Sequence, residues 1–148
     1  MTPDQQQALD IQNKGRANKG IKPLQWDGDP HNKAQVWAIH LANNVGHMQH
    51  STSAERPDQG ENLFWGWASP GPYKDPYTHA AQSWMNEGAK YHGEAIGQGN
   101  LSDWGHYTQC MWHSTTKMGM AMATDSKGGV YVVGRYEPAG NWAGQKPY

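Results

Sequence analysis

At 148 residues the chain is long enough to bury one hydrophobic core and short for two. A net charge of -1 without any lysine or arginine cluster excludes non-specific nucleic-acid binding, and no apolar run is long enough to cross a bilayer. Only 17% of residues are charged, so the mean hydropathy of -0.93 comes from neutral polar side chains, and eight Trp and seven Tyr must supply much of the buried apolar area.

In chain order, the first predicted element is a helix from about Asp4 to Ala17, with Ala8, Leu9 and Ile11 as its apolar content and Gly20 beyond its end. The segment from Met1 to Asp10 lacks the apolar stretch of a signal peptide. Two expectations follow: a chain that is not exported, or a mature form carrying an added Met. A stronger helix spans about Pro30 to Val45. Asp29 is its candidate N-cap, Pro30 fits its first position, and Ala34, Trp37, Ala38, Leu41 and Val45 share one face before Gly46. Asn62 to Pro76 reads as a long loop with an unusual density of large apolar groups. Such aromatics either fold back onto the core or face an apolar ligand. A third helix, from about Tyr77 to His92, stripes Ala81, Trp84, Gly88 and Tyr91, and a second loop covers Gly93 to Asp103, including the glycosylation sequon Asn100-Leu101-Ser102. Lys117 to Thr124 and Val130 to Tyr136 alternate as strands around the turn Asp125 to Gly129, which makes a β-hairpin. Both faces of the first strand are apolar or small, so helices are expected on both sides of the sheet.

Eight histidines are the obvious chemical candidates. His47 and His50, three apart, would clamp a metal only on a continuing helix, and Gly46 argues against one. Glu87 lies on or beside the buried stripe of its helix, where a carboxylate either pairs with an imidazole or reaches out to water. Cys110 is the single cysteine, which excludes an intramolecular disulfide. Its neighbours Met111 and Trp112 favour an inert buried thiol over a nucleophile.

Four separated segments match one family in order: Gly60-Glu61-Asn62-Leu63; Trp84-Met85-Asn86-Glu87 with Tyr91; Gly105-His106-Tyr107-Thr108-Gln109 with Met111-Trp112; and Tyr136 to Asn141, YEPAGN. They resemble the GENL, W-x-x-E-x-x-x-Y, GHYTQ-x-x-W and Y-x-P-x-G-N blocks of the CAP superfamily (cysteine-rich secretory proteins, antigen 5 and pathogenesis-related class-one proteins). The resemblance spans nearly all of 1–148 and implies one domain: a three-layer α-β-α sandwich with a small antiparallel sheet. It also implies that His50, Glu61, Glu87 and His106 converge in a groove, where His50 and His106 could hold Zn²⁺ or another divalent ion. The chain departs from the family at Gln12-Asn13, where a His-Asn pair is usual, and at Gly46 and Gly134, where plant members often carry Cys.

Functionally, the resemblance implies binding of sterols or fatty acids by the aromatic stretch Leu63, Phe64, Trp65, Trp67, Tyr73 and Tyr77, in secretion, defence or virulence. Peripheral membrane contact and a monomer or weak dimer fit that picture. A secreted location is expected, with a cytoplasmic or Golgi-associated one as the alternative because disulfides are absent. Two rival readings use the same residues. One is a metal-dependent hydrolase built on the His/Glu tetrad. The other is release of the C-terminal peptide Pro138 to Tyr148, which resembles a plant defence signal, against a plainer reading in which Trp142 and Tyr148 pack on the core.

Overall fold

The computed structural model describes residues 1–68 and 71–148; Ser69 and Pro70, inside the predicted loop after Asn62, lie outside the described residues. Its elements are α1 (Pro3–Asn18), β1 (Gln25–Trp26), α2 (Gly28–His40), β2 (Gly60–Trp67), α3 (Pro76–Asn86), α4 (Leu101–Met111), β3 (Lys117–Thr124) and β4 (Gly129–Glu137). The sheet runs β1-β3-β4-β2, antiparallel except for the short parallel pairing of β1 with β3. The expected antiparallel sheet thus gains one parallel edge.

Alternation along the strands builds the layers. Met118 and Met120 of β3 and Val130, Val132 and Tyr136 of β4 enter one core with Ala8 and Leu9 of α1, Ala80, Ala81 and Trp84 of α3, and Cys110 of α4. Ala121, Tyr131, Val133 and Leu63 form the opposite core with Ala34, Trp37, Ala38 and Leu41. Each fully buried large side chain contributes roughly 1.5–3 kcal/mol. The small residues of β3 have a steric purpose. A Cβ on Gly119 would clash with the backbone of His31, so α2 can lie on the sheet only over a glycine.

Several boundaries differ from the sequence reading. Asp27, not Asp29, caps α2: its side chain accepts from the backbone nitrogen of Asp29. After His40 the helix widens into a π-turn over Leu41–Val45, which the left-handed Gly46 (φ 79°) ends. The predicted third helix stops at Asn86 and tightens into a 3₁₀ turn from Glu87 to Lys90. The larger corrections concern the two loops. Asn62–Trp67 is the body of β2, paired with β4 from Gly60↔Tyr136 to Trp67↔Gly129. Leu101–Asp103, at the end of the second loop, is the first turn of α4, capped by Asn100.

Arg16 joins α1 to the rest of the fold. It is fully buried, and its guanidinium donates to the carbonyls of Lys22, Cys110, Trp112 and Thr115 at 2.8–3.0 Å. Four carbonyl dipoles thereby replace the lost water.

Candidate functional site

The first residues of β2 organise the site. Glu61 and Asn62 are neighbours on a strand, so their side chains leave opposite faces of the sheet. Glu61 points to the α2 face, opposite Arg135 in the register. One carboxylate oxygen accepts from His50 Nδ1 at 2.8 Å and from the Ser51 backbone nitrogen at 3.0 Å; the other accepts from Ser51 Oγ and Arg135 Nε, both at 2.8 Å. Arg135 continues to Gln59 Oε1 and Ser51 Oγ. On the other face, Asn62 Nδ2 donates to the His106 carbonyl at 3.0 Å and so fixes α4 against the strand.

A second pair forms between the end of α3 and α4. His106 Nδ1 contacts Glu87 Oε2 at 2.7 Å, and Glu87 Oε1 accepts from the backbone nitrogens of His106 and Tyr107. The His106 ring also stacks on Trp84, with centroids 6.2 Å apart. The sequence-selected tetrad is therefore two His–carboxylate pairs, one from each layer. His50, Glu61 and His106 line one cleft of about 540 Å³, together with Arg56, Ser102, Gln109 and Asn141, while Glu87 stands behind His106.

In each pair the carboxylate engages Nδ1. The neutral ring then keeps its proton there and has an unshared pair on Nε2. Neither Nε2 makes a hydrogen bond among the described residues. Two such imidazoles are a donor set for a borderline divalent ion. Both carboxylates, however, are already committed to partners, and among the described residues no group of three or more His, Cys, Asp or Glu is disposed to hold a metal. The donor chemistry of the cleft is thus two imidazoles whose rings the carboxylates orient. Burial raises the Glu61 carboxyl, but the His50 hydrogen bond, the Arg135 charge and the bonds from Ser51 outweigh it and hold the group below its ordinary value.

Arg135, Ser51, Asn62 and Gln59 were not singled out as site residues from the sequence alone. The signal for Arg135 is an arginine inside the apolar strand VYVVGRY, since a buried guanidinium needs an anion. Cys110 is no part of the cleft. Burial pushes its thiol up to about 12, and it lies 3.5 Å from both Tyr136 Oη and Asn62 Nδ2.

The aromatic stretch divides between the two faces. Phe64, Tyr73 and Tyr77 pack with the α1–α3 core, and Leu63 enters the α2 core. Trp65 and Trp67, 43% and 48% exposed, stand on the α2 face beyond the helix with ring centroids 5.9 Å apart. With Gly46, Met48, Lys127 and Tyr131 they line a second, shallow groove of about 290 Å³. The C-terminal segment follows the plainer reading of its packing in part. Tyr148, 44% exposed, meets the buried Tyr107 hydroxyl at 3.0 Å and the Tyr91 ring edge-on, and Pro147 is buried with its carbonyl accepting from the His113 backbone nitrogen, whereas Trp142 is 55% exposed.

Residues 9–136 match the family model of the cysteine-rich secretory protein (CAP) family. The chain belongs to the CAP family. Among its CAP relatives are Secreted protein RBT4 of Candida albicans, 38% identical over 144 residues, and Pathogenesis-related protein PRMS of Zea mays, 34% identical over 145 residues. The matches take in 96% and 97% of this chain, but 37% of RBT4 and 81% of PRMS, so the chain spans little over a third of the fungal relative. The crystal structure of NaASP2 with Zn²⁺ superposes on all of this chain and 86% of that one, with a TM-score of 0.85 and 25% identity. BmVAL-1, at 23% identity and a TM-score of 0.78, shares the CAP fold. The sandwich and the family placement expected from the motifs are thus established.

Proposed function

We propose that this CAP protein acts outside the cell, in defence or virulence, as a carrier of a flat or elongated hydrophobic ligand, a sterol or fatty acid, held on the Trp65–Trp67 groove. The observation that carries the reading is the exposure of two neighbouring tryptophans on a regular strand. Large apolar side chains on a paired strand normally meet a partner element, and these two extend beyond α2 beside Met48. An extracellular setting is supported by the relatives, which include a secreted protein and several pathogenesis-related proteins. No helix among the described residues is long and apolar enough to cross a membrane.

The test is equilibrium binding of cholesterol and palmitate to the wild type and to Trp65→Ala/Trp67→Ala. Both side chains are about half exposed, so the variant should keep its unfolding temperature while losing at least about tenfold in affinity, the 1.4 kcal/mol equivalent of one partly desolvated aromatic contact. Unchanged affinity for both ligands would refute the assignment.

A divalent ion is a second ligand of the same protein in this reading, held by His50 and His106 in the cleft. Titration with Zn²⁺ should give one site that is lost in His106→Ala. The hydrolase alternative has weaker support, because Glu61 and Glu87 each hold an imidazole and backbone donors, which leaves neither free as a base for a cleft water. Release of Pro138–Tyr148 is likewise disfavoured by its ties: Ile96 exchanges backbone hydrogen bonds with Gly144 and Gln145, and Asn141 bonds Gly105 and Thr108.

A further inference from the structure

We propose that Asn100 is an N-glycan acceptor and that its glycan stands over one rim of the His50–His106 cleft. The sequence Asn100-Leu101-Ser102 has the acceptor pattern, and the structure supplies what the pattern alone lacks. Asn100 is exposed, in a segment that Gly97 and Gly99 turn through left-handed backbone (φ 101° and 66°) before α4 begins. Its Oδ1 accepts from the Ser102 backbone nitrogen at 3.3 Å and from Ser102 Oγ at 2.7 Å. Among the described residues its Nδ2 makes no hydrogen bond.

That division of labour matters chemically. In the transfer Asn100 Nδ2 bonds to the anomeric carbon of a lipid-linked pyrophosphoryl oligosaccharide, the anomeric carbon–oxygen bond breaks, the lipid pyrophosphate departs and one Nδ2 proton is lost to base, while Oδ1 is untouched. The helix cap therefore survives the modification, and no native hydrogen bond is lost. The placement matters as well. Leu101 and Ser102, the next two residues, line the cleft with His106. A bulky hydrated glycan on Asn100 fills solvent above that rim and covers the approach to His106 from that side. The proposal rests on passage through a secretory pathway and not on the ligand assigned above; lipid binding can fail with the glycan in place.

The full chain, directed into the secretory pathway of a eukaryotic cell by a preceding signal sequence, is the material for the test. Mass spectrometry should find the peptide containing Asn100 carrying a glycan that an amidase releases, leaving an aspartate. Asn100→Asp and Ser102→Ala should both lose the glycan mass, and Ser102→Thr should retain it. Amidase release leaves aspartate at position 100, so the treated protein and Asn100→Asp are the same molecule and serve as one glycan-free reference that retains a capping oxygen. Hydroxyl-radical footprinting then reads the position: labelling of Leu101 and His106 should fall at least about twofold with the bulky glycan present, and labelling of Met48 and Trp67 should not change. Secreted, folded protein with an unmodified Asn100 would overturn the acceptor assignment. Equal labelling of His106 with and without the glycan would overturn its place at the cleft.

Discussion

Arg135→Met removes the counter-charge from a carboxylate that has no exposure to water. The Glu61 side chain is 0% exposed and that of Arg135 3%, and their closest approach is 2.8 Å. Taking one partner from a buried ion pair typically costs about 3–5 kcal/mol, because the other charge stays buried and unpaired. Arg56, whose Nε is 4.0 Å from the same carboxylate, compensates in part and places the expected loss near the lower end, about 3 kcal/mol. For a chain of this length that corresponds to about 10 °C in unfolding temperature. Urea unfolding at pH 7 should show a lower midpoint with an unchanged slope. The pH dependence supplies the sharper check. In the wild type the folded Glu61 carboxyl lies below its unfolded value of about 4.3, so its stabilisation is complete above that value and is lost as pH falls through the folded one. In Arg135→Met burial is no longer outweighed by the Arg135 charge and the carboxyl rises, so the deficit should shrink as pH falls and the group protonates. A loss under about 1 kcal/mol at pH 7, or a deficit equal at pH 7 and pH 3, would show that the pair does not hold Glu61 in this way.

Arg16→Met should cost about 3 kcal/mol or more, since it strips the donor from four carbonyls; denaturant melts of the variant check this, and a near-neutral result would mean that water replaces the guanidinium. Gly119→Ala should destabilise by about 1–3 kcal/mol, because the new methyl meets the backbone of His31 and lifts α2; its position is read by calorimetry and by amide shifts of Trp37 and Ala38. Cys110 should be silent to a thiol reagent at pH 8 in the folded state and react stoichiometrically in denaturant, so rapid native labelling would contradict its burial. Glu87→Ala should redistribute the neutral tautomers of His106, which ¹⁵N shifts of the ring report directly, while leaving those of His50 unchanged.

The α1–α3 stripes and the Lys117–Thr124 and Val130–Tyr136 strands were legible because their signals are local. Ala34, Trp37, Ala38 and Leu41 repeat at helical spacing, and Met118, Met120 and Met122 alternate toward one face. The motif blocks likewise picked the two histidines and two glutamates out of the chain. What sequence could not supply was β2. Its partner, β4, lies more than sixty residues away, both of its faces are partly buried, and so Glu61-Asn62-Leu63-Phe64-Trp65 shows none of the apolar–polar alternation that marks a half-exposed strand. Long-range pairing alone decided that Glu61 meets Arg135, that Asn62 leaves by the opposite face to hold α4, and that of six aromatic-stretch residues only Trp65 and Trp67 remain substantially exposed. Side-chain identity travels with the residue, whereas the direction it points is set by the hydrogen-bonded neighbour strand, and that neighbour exists only once the chain has folded.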